Sequence, residues 1–273
     1  MKFKSISKAV KEVGVAYLGN VNKSAKLAKN GKISGQYTYA TYLAPASESG
    51  YNACPHSTPE CRLGCLATSG RAGMEILSGK TKTANSRIRK TKLFFENQDY
   101  YMEWLIAEMS KHQAIAKQDG FGFSARLNCT SDIDWQNAKY KGLSIFEIFP
   151  DVQFYDYTKI YSKFDNKASN YHLTFSYTGK NWSKCKDLLN RGFNVAVVFN
   201  VKNENELPET FNGFKVVNGD ETDFRVNDEK GVIIGLKWKR IANKENERQI
   251  LNSCFVVRSE ERRVGKECRS RWS

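Results

Sequence analysis

The chain has 273 residues, 40% hydrophobic and 26% charged, which is ordinary for a globular protein. Its formal net charge of +14 favours acidic or nucleotide-like partners without naming one. No run approaches the roughly 18 apolar residues of a membrane helix, and the amino terminus shows neither an apolar signal core nor a small-residue cleavage site, so no membrane partner, a cytoplasmic location and no disulfide framework are expected.

Residues 1–35 carry eight lysines against one glutamate, Glu12. They read as a basic, solvated lead-in, with an arm touching phosphate as the sharper alternative. Residues 33–43, ISGQYTYATYL, are rich in aromatic and β-branched side chains and predict a strand. Residues 45–73 contain Pro45, Pro55, Pro59, Gly50, Gly64, Gly70 and Gly73 and follow no helical or strand period. A loop of that length inside a compact domain is usually functional.

Helices are predicted over 82–96 and 100–117. In the second, Tyr101, Trp104, Leu105 and Met109 recur on one face, the pattern of a core-packing stripe. In the first, Arg87, Arg89, Lys90 and Lys92 predict a solvated face.

From residue 121 onward apolar runs fall at 121–128, 152–157, 171–177, 193–199, 214–218 and 232–238. Helical segments are predicted between several of them, at 135–149, 181–191 and 203–210. This alternation predicts an α/β fold of parallel strands and helices. An open sheet or a partial or full (β/α) barrel would satisfy it, with the barrel expected here as one domain over 36–258 and a cysteine-bearing loop near its start. The last residues, 259–273, are mostly charged and resemble a translated vector or adaptor scar, so they are set apart from the fold. Without them the net charge is +12 and six cysteines remain, and whether Cys254 belongs to a site stays open.

Polar side chains follow the predicted strands. FSARL runs into Asn128, Cys129, Ser131 and Asp132; VQFYDY ends in Asp156, Thr158 and Lys159; later strands carry Ser176 and Asp220. In parallel α/β folds the loops at the carboxyl ends of the strands open on one face and hold ligands. Arg126, Asn128, Asp132, Asp156 and Lys159 are therefore the candidate catalytic residues, and Ser176 and Asp220 the candidate cofactor-binding ones. Carboxylates set among tryptophan and tyrosine need hydrogen bonds or ion pairs, with Arg126 and Lys159 as candidate partners. His172 reads as a hydrogen-bonded strand residue, with a site role as the alternative.

Cys54, Cys61 and Cys65 sit within twelve residues of one another on the proline- and glycine-rich loop. In a cytosolic protein such a group points to zinc, to an iron–sulfur cluster, or to structural or free thiols brought together by coincidence. Structural zinc prefers four protein ligands, and His56 fits poorly as the fourth beside Cys54. A cubane iron–sulfur cluster accepts three thiolates and leaves one iron open to a small molecule. An iron–sulfur cluster is the expectation and zinc the alternative.

Read together, the Cys54-Pro55…Cys61…Cys65…Gly70 loop, the Arg126-x-Asn128-x-x-Ser131-Asp132 strand end and the Tyr157-Thr158-Lys159 element resemble the gene product 88 family of tailed phages and mobile elements. The resemblance spans roughly residues 35–240 and, for a phage protein, implies the host cytoplasm. The order of a three-cysteine loop followed by an α/β barrel is also similar to radical S-adenosylmethionine enzymes. Their usual cysteine offsets of four and three are replaced here by seven and four, and no Gly-Gly-Glu element is present, with GDETD at 219–223 a weak substitute. The resemblance therefore implies cluster binding first and S-adenosylmethionine chemistry on a nucleotide or nucleic acid second. A zinc-stabilised nucleic-acid-binding accessory protein without catalysis is the alternative.

Overall fold

A computed structural model describes residues 2–21, 33–68, 75, 78–79, 81–241 and 243–258. Residues 259–273, read as a foreign tail, and most of the predicted lead-in beyond residue 21 lie outside them. The described part of the lead-in is ordered. Helix α1 (Ile6–Val13) starts at Ser5, whose side chain accepts from Lys8 N, and ends at Gly14 in the left-handed conformation. Strand β1 (Gly19–Val21) then pairs antiparallel with β2 (Gln36–Thr41).

The chain continues through a short helix, α2 (Pro59–Leu63), into α3 (Lys82–Glu96) and α4 (Gln98–Gln118). Strands β3 (Gly122–Arg126), β6 (Gln153–Thr158), β7 (Tyr171–Ser176) and β8 (Asn194–Phe199) follow, with α6 (Trp182–Asn190) between the last two. After β9 (Thr210–Phe211), β10 (Phe214–Asn218), β11 (Ile233–Lys237) and α7 (Lys244–Leu251), the described chain closes on β12 (Val256–Val257). A side hairpin of β4 (Lys139–Tyr140) and β5 (Leu143–Ser144) leads into one turn of helix, α5 (Ile145–Ile148).

Among the described residues ten strands form one sheet in the order β1-β2-β3-β6-β7-β8-β11-β10-β9, with β12 beside β8. All pairings from β2 to β10 are parallel, and so is β12 with β8; β1 and β9 are the antiparallel edges. The parallel α/β class predicted from the alternation is present. The full barrel is not: among the described residues no pairing joins β1 to β9, and the sheet stays open.

Handedness explains the two faces of this sheet. From β2 to β8 the chain advances in one direction, and right-handed crossovers then place every connection on the same face. That face carries the main core, where Tyr39, Leu127, Phe154, Leu173, Phe175, Val197 and Phe199 pack against Trp104, Leu105 and Met109 of α4 and Leu188 of α6. At β10 the direction reverses, because β11 inserts between β8 and β10. A right-handed β10–β11 connection must therefore cross the opposite face. Phe224 of that connection meets the Tyr155 ring edge-on at 5.4 Å, and Arg225 is buried beneath it at 2% exposure.

Two predicted helices are replaced by turns. Within 135–149 only Ile145–Ile148 is helical, because Lys141 (φ 50°) and Gly142 (φ 83°) form a tight hairpin turn with both central residues left-handed. Within 203–210 a single turn of 3-10 helix, Glu204–Glu206, precedes a second such hairpin at Asn212 (φ 48°) and Gly213 (φ 85°). The basic face of α3 is only partly solvated: Lys90 is 4% exposed and its Nζ donates to Leu18 O at 3.1 Å. Among the described residues no helix is long and apolar enough to cross a membrane.

Candidate functional site

The segments at and after the carboxyl ends of β2 and β3 are stitched together by short bonds. Thr41 Oγ1 donates to Leu127 O at 2.5 Å, Thr130 Oγ1 to Leu43 O at 2.6 Å, and Asp132 N to Ala53 O at 2.8 Å. These bonds fix the cysteine loop, which leaves β2, over the polar segment that leaves β3.

Within the loop each cysteine is held by its own local device. Ala46, with φ at 47°, aims its N–H at Cys54 Sγ, 3.3 Å away. A non-glycine residue in the left-handed region costs roughly 1–2 kcal/mol, so that aim is kept against strain. Thr58 caps α2 by accepting from Cys61 N at 3.2 Å, which sets Cys61 in the first helical turn. Cys65 follows the Gly64 cap, and Ala67 N donates to its sulfur at 3.5 Å.

All three thiols are partly buried, and they lie near enough to act on one another electrostatically. Burial pushes Cys54 up and Cys65 up to about 11, so both are held as neutral thiols at pH 7. Two cations face them. Burial opposes the charge on Lys159, yet Cys61, Asp132 and Cys54 together outweigh that cost and hold its pKa above the ordinary lysine value. Arg87 is lowered by burial, is supported in part by Cys65, and donates to Ala67 O at 3.1 Å. Among the described residues no group of three or more His, Cys, Asp or Glu side chains is gathered so as to hold a metal ion.

The polar residues after β3 form a closed network. Asn128 Oδ1 accepts from Ser131 Oγ, Ile133 N and Trp135 Nε1, and Asn128 Nδ2 donates to Ile133 O. Asp132 Oδ1 accepts from Thr158 Oγ1 at 2.7 Å and from Lys163 Nζ at 3.0 Å, and Oδ2 accepts from Lys159 N at 2.8 Å. Asp156, 3% exposed, accepts from Asn128 N and Tyr171 OH. Burial pushes Asp156 up to about 6, against the pull of Arg126 and these donors. Asn128, Asp132 and Asp156 thus bind the strand ends to one another, and Lys163, unremarked in the sequence, completes the ion pair.

Arg126 points the other way. Side chains alternate along a strand, and the register pairs Tyr155 with His172 and Tyr157 with Thr174, so these residues and Arg126 share the face crossed by the β10–β11 connection. Arg126 Nη1 lies 3.3 Å from Asp223 Oδ2, and its guanidinium sits 5.0 Å from the Tyr157 ring centroid. Burial opposes the Arg126 charge, while Cys129 and Asp223 reverse that effect and hold it cationic; burial pushes the Cys129 thiol up to about 12.

Ser176 ends β7 on the same polar face, its carbonyl accepting from Asn181 Nδ2 at 3.1 Å. Asp220 follows β10. It accepts from Lys237 N at 2.7 Å and lies 3.7 Å from Lys239 Nζ. Of the predicted site residues, the three cysteines act on one another electrostatically, and Cys61, Asp132 and Cys54 act on Lys159. Arg126 and Ser176 face the polar side of the sheet. Thr174 and Arg225 carry no site signal in the sequence, because Thr174 joins Tyr157, His172 and Arg126 only through strand register and Arg225 comes from the β10–β11 connection.

No curated protein and no solved structure matches this chain significantly. The sequence pattern of one family, described as Gene product 88, matches residues 16–255, which is most of the chain and takes in the cysteine loop, the strand-end network and the polar face. The protein belongs to the gene product 88 family.

Proposed function

We propose that Cys54, Cys61 and Cys65 bind an iron–sulfur cluster and that the adjoining strand ends receive a nucleotide-like substrate. The observation that carries this reading is the company the thiols keep. The cysteine loop is bonded to the strand-end segment through Thr130 and Asp132, and its sulfurs act electrostatically on one another, on Lys159 and on Arg87. A single zinc ion with bonds of about 2.3 Å would need its thiolates almost in contact; among the described residues no group of three such side chains is gathered around one point. A cubane spreads its thiolates over three different irons, which suits sulfurs that interact without converging. Thiolates bound to a cluster carry negative charge, and the two neighbouring cations offset it.

When bound, such a cluster supplies one-electron chemistry and an iron open to a small molecule, S-adenosylmethionine among the candidates. The chain's own residues have separate tasks. Ala46 N and Ala67 N orient two of the sulfurs, and Lys159 holds a positive charge at the third. Asn128, Asp132 and Asp156 keep the strand ends rigid, and Arg126 presents a cation to the polar face.

Anaerobic reconstitution with iron and sulfide tests the proposal. The expected result is broad visible absorbance that bleaches with dithionite, with iron and sulfide bound in equal amounts. Loss of that chromophore on changing Cys54, Cys61 or Cys65 to Ser, and its survival in Cys185→Ser, would support it. A colourless wild-type protein, or one that takes up zinc alone and binds nucleic acid with a steep salt dependence, would overturn it.

A further inference from the structure

On the face crossed by the β10–β11 connection, β8 and β11 carry an apolar cluster of Ala196, Ile234 and Leu236, whereas β3, β6 and β7 carry polar groups that are under-satisfied. His172 Nε2, Thr174 Oγ1, Tyr157 OH, Arg126 Nε and Arg225 Nε are all buried without a hydrogen-bond partner. Register makes four of them one patch: Tyr155 and Tyr157 of β6 lie beside His172 and Thr174 of β7, and Arg126 leans on the Tyr157 ring. Arg225 descends on this patch from the β10–β11 connection. Thr174 is fully buried and Arg225 is 2% exposed.

An unsatisfied buried polar group costs about 1–3 kcal/mol, and four on one sheet face with a fifth on the connection above them are costly for a surface that only packs. On the opposite face of the same strands the side chains are apolar and interlocked. The contrast marks the polar face as a recognition surface. Its members are mainly donors: two guanidinium N–H groups, two hydroxyls and an imidazole. The local charge is positive, with Arg126, Arg225, Lys167 and Lys230 acting on the patch against Asp223 and Asp228. Arg225 Nη1 lies 3.2 Å from Asp228 Oδ2 but off the hydrogen-bond direction, so that carboxylate does not saturate it.

We infer that this face is a binding chamber for a small oxyanion-bearing molecule, a phosphate or a carboxylate, held by Arg126, Arg225, Tyr157, Thr174 and His172 beneath the β10–β11 connection. The chamber does not depend on the thiol loop. Arg126 and Arg225 supply charge-assisted donors, and the hydroxyls fix the orientation of the acceptor oxygens.

Calorimetric titration of the full chain with inorganic phosphate and, separately, with succinate tests this. One saturable site for either anion is expected, and the tighter of the two names the chemistry. Thr174→Val and Tyr157→Phe each remove one unpaired hydroxyl with little change of shape and should weaken that site about five- to tenfold. Lys215→Gln, an exposed position on β10, should leave it unchanged. A triple Cys54→Ser, Cys61→Ser, Cys65→Ser chain should bind the anion as well as the wild type, so failure of the cluster proposal leaves this one standing. The inference is overturned if neither anion binds saturably. It is also overturned if both hydroxyl variants bind as the wild type does, or if they only gain stability, since the face would then hold nothing but water.

Discussion

Lys163 Nζ lies 3.0 Å from Asp132 Oδ1, with the lysine side chain 2% and the aspartate side chain 12% exposed. The pair joins the segment after β3 to the segment after β6, and Lys163 Nζ also donates to Ile133 O at 2.9 Å. Breaking one half of a buried pair strands the other charge. Lys163→Met should lower unfolding free energy by about 3–5 kcal/mol, read from urea denaturation. Asp132→Asn combined with Lys163→Met should be less destabilised than Lys163→Met alone. Additive losses would show that the two residues do not act as a pair.

Glu108 is the second buried charge of consequence. At 3% exposure it accepts from Leu18 N, Gly19 N, Tyr39 OH and Trp104 Nε1. It ties β1 and β2 to α4 and is raised by burial, with these donors opposing the rise. Glu108→Gln removes one acceptor oxygen and should cost about 2–4 kcal/mol. Trp104 fluorescence during denaturation is a direct probe, and an unchanged midpoint would refute the assignment.

Asp156 and His172 should shape the pH dependence of stability with opposite signs. Burial raises Asp156 to about 6, so charging it disfavours the fold, and stability is lost as pH rises from about 4 to about 6. Burial, together with Lys167, Arg225 and Lys230, lowers His172 to about 4. Its contribution is present above pH 6.5 and is lost as pH falls toward 4. Each effect is bounded at about 3 kcal/mol, at roughly 1.4 kcal/mol per pH unit. The two contributions should therefore nearly cancel between pH 4 and 6.5. Asp156→Asn should leave stability rising with pH across that window, and His172→Gln should leave it falling. Parallel slopes in the two variants would contradict this.

Gly179 follows β7 at φ 88°, and a Cβ there would come within 2.6 Å of the Cys254 backbone. Gly179→Ala adds left-handed strain of roughly 1–2 kcal/mol to a clash with main chain. A loss of at least about 2 kcal/mol is expected, measured as a lowered urea midpoint. A neutral substitution would mean that the approach of residues 179 and 254 is not maintained in solution.

Strand and helix positions were largely legible because period and length mark them locally. The run 82–96 is the helix observed, and 214–218 is the strand observed. The hairpins were missed although Asn212-Gly213 is a strong turn signal, because the flanking runs are only two and five residues long. The burial of Lys90 and Glu108 was not legible, since their partners at Leu18 and Gly19 lie 72 to 90 residues away. The site divided similarly. Asn128, Asp132 and Asp156 stood out as polar groups among aromatics, but whether a side chain braces the strand ends or faces a ligand depends on which side of the sheet it takes. A single residue of register decides that, and Arg126 and Asp156 fall on opposite sides.

The place of β11 between β8 and β10 also dictates an order of assembly. The Phe211–Phe214 hairpin reaches the sheet only through β11, since β10 has no other parallel partner among the described residues. The first five parallel strands can zip up one after another as the chain emerges, but strands nine to eleven must arrive as a unit. Because β11 begins at Ile233, a nascent chain of two hundred and thirty residues would still present an unpaired β8 edge, the adhesive kind of surface on which chains of this class stall or aggregate.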